Sequence, residues 1–481
     1  MISPAAISLA TTFTAESPRL TPRRVPLASR LVGFAPLIVF IVLTAQAFFR
    51  QGLAVWAIGI AYIFYDTVLL AFTAWNIRDL RAQVAPRQTD GGPSLAVIVA
   101  AHNEAGVLGA TIERLAAQAM PPEVILIADD GSTDSTSELL ARLYGLHKPA
   151  LGGVATGSTN LPSLQWLRLA HGGKAVALNA AMLATDAEII LTVDADTLLE
   201  PGAIAAMRAA FLAEPELVAA TGVLAPICGP SAQARLFQWF QSYEYVRNFL
   251  SRHAWEQVHS LLLISGAFAA FRRQAVVRVG GFDPECLVED YELIHRLYRH
   301  AADQGCDWRV RVVGGALART DAPASPLAFL KQRRRWFGGF LQTQRWNRDM
   351  VGNRRFGSLG TRMLPVKALD TLQPVYGLAA FFILIVVVAS GRFLIAFPIL
   401  LIMIAKIVVD LTFHLWSLGI YKRWTGQTHG LRVGPAIIAA VAEPFTFQLL
   451  RHSGAVWGWF AFLTGRGGWG RKTRTAIPSQ I

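Results

Sequence analysis

Asp194-Ala195-Asp196 sets two carboxylates at the end of a short apolar run, Ile189 to Val193. Hard divalent ions such as magnesium and manganese take oxygen ligands and bridge readily to diphosphates. The pair could hold such an ion and neutralise a diphosphate leaving group through it. A capped, solvated turn can have the same composition, so the pair alone decides nothing. Glu289-Asp290 forms a second acidic group, ahead of a helical run from Tyr291 to His300 and after the turn Gly280-Gly281-Phe282-Asp283. Acids favour the start of a helix through its dipole. A carboxylate there can also take a proton from an attacking hydroxyl.

Three further groups accompany these. Asn103-Glu104 and Asp129-Asp130-Gly131-Ser132 each follow an apolar run and could hydrogen-bond a nucleobase and ribose. Either pair alone is also ordinary turn chemistry. Lys174 follows Gly172-Gly173 and opens a helix, a position that suits phosphate. The spacing is not that of a P-loop. Gln332-Arg333-Arg334-Arg335-Trp336 pairs arginines that could stabilise a diphosphate with an indole that could stack on a sugar. A basic, aromatic helix at a membrane interface has the same composition.

The elements that position these groups alternate. Leu95 to Ala100, Val124 to Ala128, Leu164 to Leu169 and Ile189 to Val193 read as strands. Ala105 to Gln118, a stretch capped by Asp134 and reaching Leu143, and Gly173 to Leu183 read as helices between them. That alternation indicates an α/β domain with a parallel sheet covered by helices. Ligands of such sheets bind beyond the carboxyl ends of the strands, where Asp129, Asp130, Asp194 and Asp196 fall.

The 481-residue chain is 53% hydrophobic, too apolar for an ordinary soluble protein. Leu31 to Phe49, Leu53 to Trp75, Pro374 to Ser390 and Phe393 to Leu418 carry most of the excess. A helix needs about 20 apolar residues to cross a bilayer, so four spans are expected. Val433 to Leu450 and Ala455 to Leu463 read as one more span and an interfacial segment. Lys406, Asp410 and His414 interrupt the fourth apolar stretch, and with Asp370 and Glu443 they would be costly in lipid. They fit either a polar path or pairs inside the bundle. The formal charge of +13 gathers beside the spans, at Arg19, Arg23, Arg24, Arg30, Arg78, Arg81, Arg87, Arg333 to Arg335, Arg354, Arg355, Arg362 and Arg471-Lys472. This positive-inside pattern puts the N-terminus, the central domain and the C-terminus on the cytoplasmic side of the inner (plasma) membrane. No signature of nucleic-acid binding accompanies the charge. The three cysteines have no CxxC spacing, so neither a disulfide framework nor a zinc site is expected.

The expected organisation is a flexible N-terminal tail over residues 1–28, two transmembrane helices over 29–78 and a soluble domain over 90–340. An interfacial basic segment over 341–366, further transmembrane helices over 367–465 and a basic tail over 466–481 follow.

Taken in order, these residues resemble a membrane-integrated family-2 glycosyltransferase of the inverting GT-A type. That group includes bacterial poly-N-acetylglucosamine, chitin-oligosaccharide, hyaluronan and cellulose synthases. The resemblance rests on Asn103-Glu104, Asp129 to Ser132, Gly173 to Asn179, Asp194 to Asp196, Glu289-Asp290 and the QxxRW group of Gln332, Arg335 and Trp336. It implies a GT-A cytoplasmic domain beside an α-helical transmembrane bundle, and a sugar-nucleotide donor carrying uridine. Asn103, Glu104, Asp129, Asp130, Lys174 and Asp194 would contact the donor, and Asp194 and Asp196 would hold Mg2+ or Mn2+. Asp290 would be the catalytic base beside Glu289, and Ser265 and Gly266 would lie in an acceptor-side loop with Gln332, Arg335 and Trp336. Members usually carry Thr where this chain has Val288. The acceptor would be a growing polysaccharide or, alternatively, a single lipid, with an export subunit as a further partner. A non-catalytic transporter or export subunit is the remaining reading of a different class.

Overall fold

Long apolar helices flank a domain in which buried strands alternate with amphipathic helices. The computed structural model describes residues 4–82, 92–427 and 433–465. Arg87, the 466–481 tail and Arg471-Lys472 lie outside them. The chain begins with α1 (Pro4–Glu16), α2 (Leu27–Phe49) and α3 (Ala57–Ile77). The central domain follows as β1 (Leu95–Ala101), α4 (Ala105–Ala116), β2 (Val124–Asp130), α5 (Thr136–Tyr144), β3 (Val154–Ala155), β4 (Leu164–Leu169) and α6 (Lys174–Leu183). It continues with β5 (Ile189–Asp194), β6 (Thr197–Leu199), α7 (Ala203–Ala213), β7 (Leu217–Ile227), α8 (Ala232–Gln257), β8 (Phe268–Arg272), α9 (Arg273–Arg278), α10 (Glu289–Gln304), β9 (Arg309–Asp321) and α11 (Pro326–Trp346). Last come α12 (Leu364–Ala389), α13 (Phe393–Thr425), α14 (Val433–Ala442) and α15 (Phe447–Leu463).

The nine strands form one sheet in the order β3-β4-β2-β1-β5-β8-β7-β9-β6. Strands β4, β2, β1 and β5 are parallel, as the alternation predicts; β2, β1 and β5 are buried on both faces, which is why they read as apolar runs, whereas β4 is partly exposed. Beyond β5 the sheet is mixed: β8 runs antiparallel to both β5 and β7. The register matters for the site. Ala100 pairs with Ala128 on one side and with Asp194 on the other. The carboxyl ends of β2, β1 and β5 therefore lie side by side, each about 4.8 Å from the next.

Residues 1–28, expected as a flexible tail, instead include a docked helix. Arg19 makes a bidentate ion pair with the buried Asp283, at 3.1 and 3.0 Å. Phe13 packs so closely on Gly280 that a Cβ there would lie 2.2 Å from the Phe13 backbone. Gly280 has φ +86, which glycine adopts without strain. The tail docks through contacts distant in sequence: Leu9 is buried in the core of the domain, Phe13 sits on Gly280, and Arg19 and Arg23 pair with Asp283 and Asp303.

Among the described residues, four helices are long and apolar enough to cross a membrane: Leu27–Phe49, Gly52–Ile77, Leu359–Ala389 and Phe393–Thr425. Val433–Phe445 and Phe447–Leu463 form a further pair bent by 47°. The break falls at Glu443-Pro444 rather than after Leu450, because proline cannot continue the helical hydrogen-bond ladder. Several charges inside these helices are paired. Lys406 Nζ lies 2.6 Å from Asp66 Oδ2 and also pairs with Asp410, and Arg247 reaches Glu443 at 3.0 Å. Tyr65 donates to Asp370 at 2.6 Å, and His414 packs edge-on against Tyr243.

Helix α11 is seated on α15 through glycines. A Cβ on Gly454 would lie 2.8 Å from Arg333 Cβ, and one on Gly458 2.7 Å from the Arg334 carbonyl. The opposite side of α11 meets Val288 at Gly339, where a Cβ would come within 2.6 Å. Val288 thus fills a backbone-close contact with its two methyl groups.

Candidate active site

A cavity of about 400 Å3 lies over the carboxyl ends of the strands and extends toward the helical bundle. Lys174, Asp194, Asp196, Ser265, Gly266, Glu289, Asp290, Gln332, Arg335 and Trp336 all line it. Residues separated by up to 162 positions in the sequence therefore meet in one place, and its volume is that of an ordinary small-ligand site.

Asp290 sits at the start of α10 and is partly open to the cavity, whereas Glu289 is buried. Asp290 accepts the Gly266 amide at 2.6 Å on Oδ2 and its neighbour Tyr291's amide at 2.8 Å on Oδ1. Burial first, and then the Glu289 charge, hold the Asp290 carboxyl above the ordinary carboxylate range. Lys174 and the two amides oppose them. Lys174 lies 2.6 Å from Asp194 Oδ1 and 3.3 Å from Glu289 Oε1. Burial works against its charge, yet Asp194, Glu289 and Asp290 together raise its pKa. The lysine is thus a bridge between the end of β5 and the start of α10.

The same helix, α6, fixes the turn before α10. Asn179 accepts the Phe282 amide and donates to the Phe282 carbonyl, both at 2.8 Å. Arg296 on α10 is fully buried, grips Glu292 at 2.6 Å and donates to the Val279 and Gly281 carbonyls. The helix that presents Asp290 is therefore clamped from α6, from α1 and from within.

Asp194 and Asp196 bracket the tight connection between β5 and β6, and Asp196 is buried at 3% exposure. With Asp321 they line the cavity with carboxylate oxygens, the ligand type that a hard divalent ion takes.

Asn103, Glu104, Asp129 and Asp130 are not among the cavity-lining residues. Asp129 accepts Ser132's amide at 2.8 Å and the Trp166 indole N–H at 3.2 Å. Asp130 accepts the Gly172 amide at 2.7 Å and the Gly173 amide at 2.9 Å. Asn103, in the left-handed region at φ +57, accepts the Thr133 and Asp134 amides. Asp134 accepts from the Ala105 and Thr136 amides and so ties together the starts of α4 and α5. These carboxylates shape the loops at the ends of β1 and β2. The rings of His102 and His171 stack there at 4.3 Å, and His171 Nδ1 lies 2.9 Å from Asp130. His102, Asp130 and His171 hold their ligand atoms within 4.8 Å of one another, a second candidate metal position that the sequence reading did not include.

In QxxRW, Trp336 faces the cavity with Arg333 over its ring at 4.4 Å. Arg333 is buried and paired with Glu244 at 2.7 Å. Gln332 contributes an amide oxygen that is buried and without a hydrogen-bond partner. The sequence reading missed the wall opposite, on α8: Glu244, Tyr245, Arg247, Asn248, Ser251 and Arg252 line the cavity. Their polar character at three- and four-residue intervals was the available signal.

Two family models match the chain: "Glycosyl transferase family 2" over residues 96–280 and "Glycosyl transferase family group 2" over 189–409. A beta-monoglucosyldiacylglycerol synthase of Synechocystis is 26% identical over 311 residues, 60% of this chain and 59% of that protein. A poly-beta-1,6-N-acetyl-D-glucosamine synthase of Staphylococcus epidermidis is 24% identical over 288 residues, 59% of this chain and 61% of that protein. The chain thus spans about three-fifths of the length of the curated relatives it matches. The solved structure of a mannosyltransferase, PcManGT, from Pyrobaculum calidifontis in complex with GDP-Man and Mn2+, superposes with a TM-score of 0.55 at 20% identity. The match covers 82% of this chain and 99% of that one, and shows a shared fold. The chain thus carries domains that match the family-2 glycosyltransferases, on a fold of the GT-A type, beside apolar helices that mark it as a membrane protein.

Proposed function

We propose that the protein transfers a sugar, with inversion, from a nucleotide-diphosphate donor to an acceptor at the membrane surface. The observation that carries this is the setting of Asp290: half-open to the cavity, aimed by two amides and raised in basicity by burial and Glu289. Asp290 takes the proton from the acceptor hydroxyl as its oxygen attacks the anomeric carbon. The bond to the diphosphate breaks on the opposite face, and the configuration inverts. Glu289, buried against Lys174, positions rather than abstracts. Asp194 and Asp196 would hold Mg2+ or Mn2+, which neutralises charge on the departing diphosphate when bound. Arg335 and Trp336, on the cavity wall, would engage the diphosphate and the acceptor sugar.

The basic residues beside the spans support a cytoplasmic catalytic domain at the inner (plasma) membrane. The soluble, spanning and interfacial regions would follow the boundaries read from the sequence, except that α1 docks on the catalytic domain. The acceptor would be a growing polysaccharide or a lipid, since relatives named for each are matched equally well. An export subunit would accompany the first.

The test is nucleotide release from a panel of UDP- and GDP-sugars with Mn2+ or Mg2+, on protein in detergent, with the product sized. One active donor whose turnover disappears in Asp290→Asn is expected. A long product marks a synthase, and a single-sugar lipid marks a glycolipid enzyme. Undiminished turnover in Asp290→Asn would remove the base assignment.

A further inference from the structure

Among the described residues, Arg252 on the cavity wall has no ion-pair partner. On α8, Arg247 has Glu443, and the facing Arg333 has Glu244. Arg252 lines the same cavity as Asp290, yet among the described residues its guanidinium makes no hydrogen bond or ion pair. Its Nε and Nη1 are buried and unpartnered among the described residues, and the guanidinium lies 4.6 Å from the centroid of the Phe249 ring. Burial pushes the group down to about 10, partly offset by the charge of Asp290. A buried guanidinium without a partner is costly, and nothing about packing on one phenylalanine requires a charge.

We propose that Arg252 receives a phosphate oxyanion brought into the cavity by a substrate. The planar guanidinium offers two parallel donors that match two phosphate oxygens, and its charge makes each bond stronger than a neutral one. Asp194 and Asp196 stand at the strand end and Glu289 and Asp290 at the start of α10, with Lys174 already committed among them. Arg252 stands on the helical wall instead. Two sources fit this chemistry: the diphosphate of the donor, or the phosphate of a phosphorylated lipid acceptor. A neutral acceptor, whether a sugar chain or diacylglycerol, would leave the guanidinium unanswered unless the donor supplies the anion. The inference deepens the transferase reading and rests on it.

The experiment uses the full chain in a phosphate-free maltoside detergent. Equilibrium binding of UDP and GDP with Mn2+, and of a polyprenyl phosphate, is measured for wild type, Arg252→Gln and Arg252→Lys. Arg252→Gln is expected to weaken one of these ligands at least tenfold, with Arg252→Lys intermediate. Loss confined to the nucleotides assigns Arg252 to the donor; loss confined to the polyprenyl phosphate assigns it to an anionic lipid acceptor. Binding of all three within threefold of wild type by Arg252→Gln overturns the proposal. Should Arg252→Gln melt well below wild type, Arg252→Lys carries the same criterion, at threefold weakening. Sugar-nucleotide turnover by the wild type, on the same preparation, tests the transferase reading separately.

Discussion

The backbone amide of Gly266 donates a 2.6 Å hydrogen bond to Oδ2 of Asp290, and a Cβ on that glycine would lie 2.9 Å from the same oxygen. Twenty-four residues, with β8 and α9 among them, separate the two. The contact fixes which carboxylate oxygen is held by the backbone and so how the group faces the cavity. Side-chain bulk at position 266 has to displace the proposed base.

Gly266→Ala is therefore expected to lower turnover by roughly 100-fold, since a misplacement of about an ångström at a reacting group costs that much. Nucleotide affinity should change little, because the alanine adds nothing on the strand-end floor. A variant with wild-type kcat would show that Asp290 does not need this amide.

The raised pKa of Asp290 sets the acid side of the pH profile. A base acts only when ionised, so kcat/KM falls as pH drops through the folded-state pKa, above the ordinary value of about 3.9. The stability consequence has the opposite direction. A carboxylate raised on folding favours the native state below its unfolded pKa, and that contribution is lost as pH rises through the folded value. Burial is the larger cause and Glu289 the second. Glu289→Gln should move the acid limb to lower pH; an unmoved limb would mean that the like charge is not felt.

Lys174 is the cation that lets three carboxylates share this site. Lys174→Met leaves Asp194, Glu289 and Asp290 facing one another without it. The acid limb should then shift to higher pH, and the protein should lose about 3 kcal/mol of stability, as when one partner of a buried pair is removed. Thermal melting and the pH profile together check this. Lys174→Arg, which keeps the charge, should retain most of the stability.

Asp194, Asp290 and Lys174 were legible because each sits at the end of a short, strongly apolar or helical segment whose letters dictate its element. The parallel half of the sheet was legible for the same reason. The partners of Asp129 and Asp130 were not: Trp166, Gly172 and Gly173 donate to their oxygens, and those lie 37 to 43 residues away. The Arg19–Asp283 pair spans 264 residues and leaves no local pattern. Arg252 was invisible for a related reason. Its meaning lies in the lack of an ion-pair partner among the described residues, and partners of that kind are set by how α8 packs across the sheet.

The glycines that seat α11 on α15 give a last expectation, because they place QxxRW without touching the cavity themselves. Gly458 lies where a Cβ would come 2.7 Å from the Arg334 carbonyl and 3.0 Å from the Gly338 amide. Both are backbone atoms of α11, so a side chain there cannot be relieved by a rotamer change. Gly458→Val must push α11 away from α15, carrying Gln332, Arg335 and Trp336 with it. Turnover should fall tenfold or more and the melting temperature by several degrees, the effect of overpacking by about 1–3 kcal/mol. Binding of free nucleotide at the strand-end acids should persist, since Asp194 and Asp196 stand on the sheet. If Gly458→Val lowered stability but left turnover intact, the position of α11 would not govern catalysis. QxxRW would then act as a membrane-interface helix rather than as part of the site.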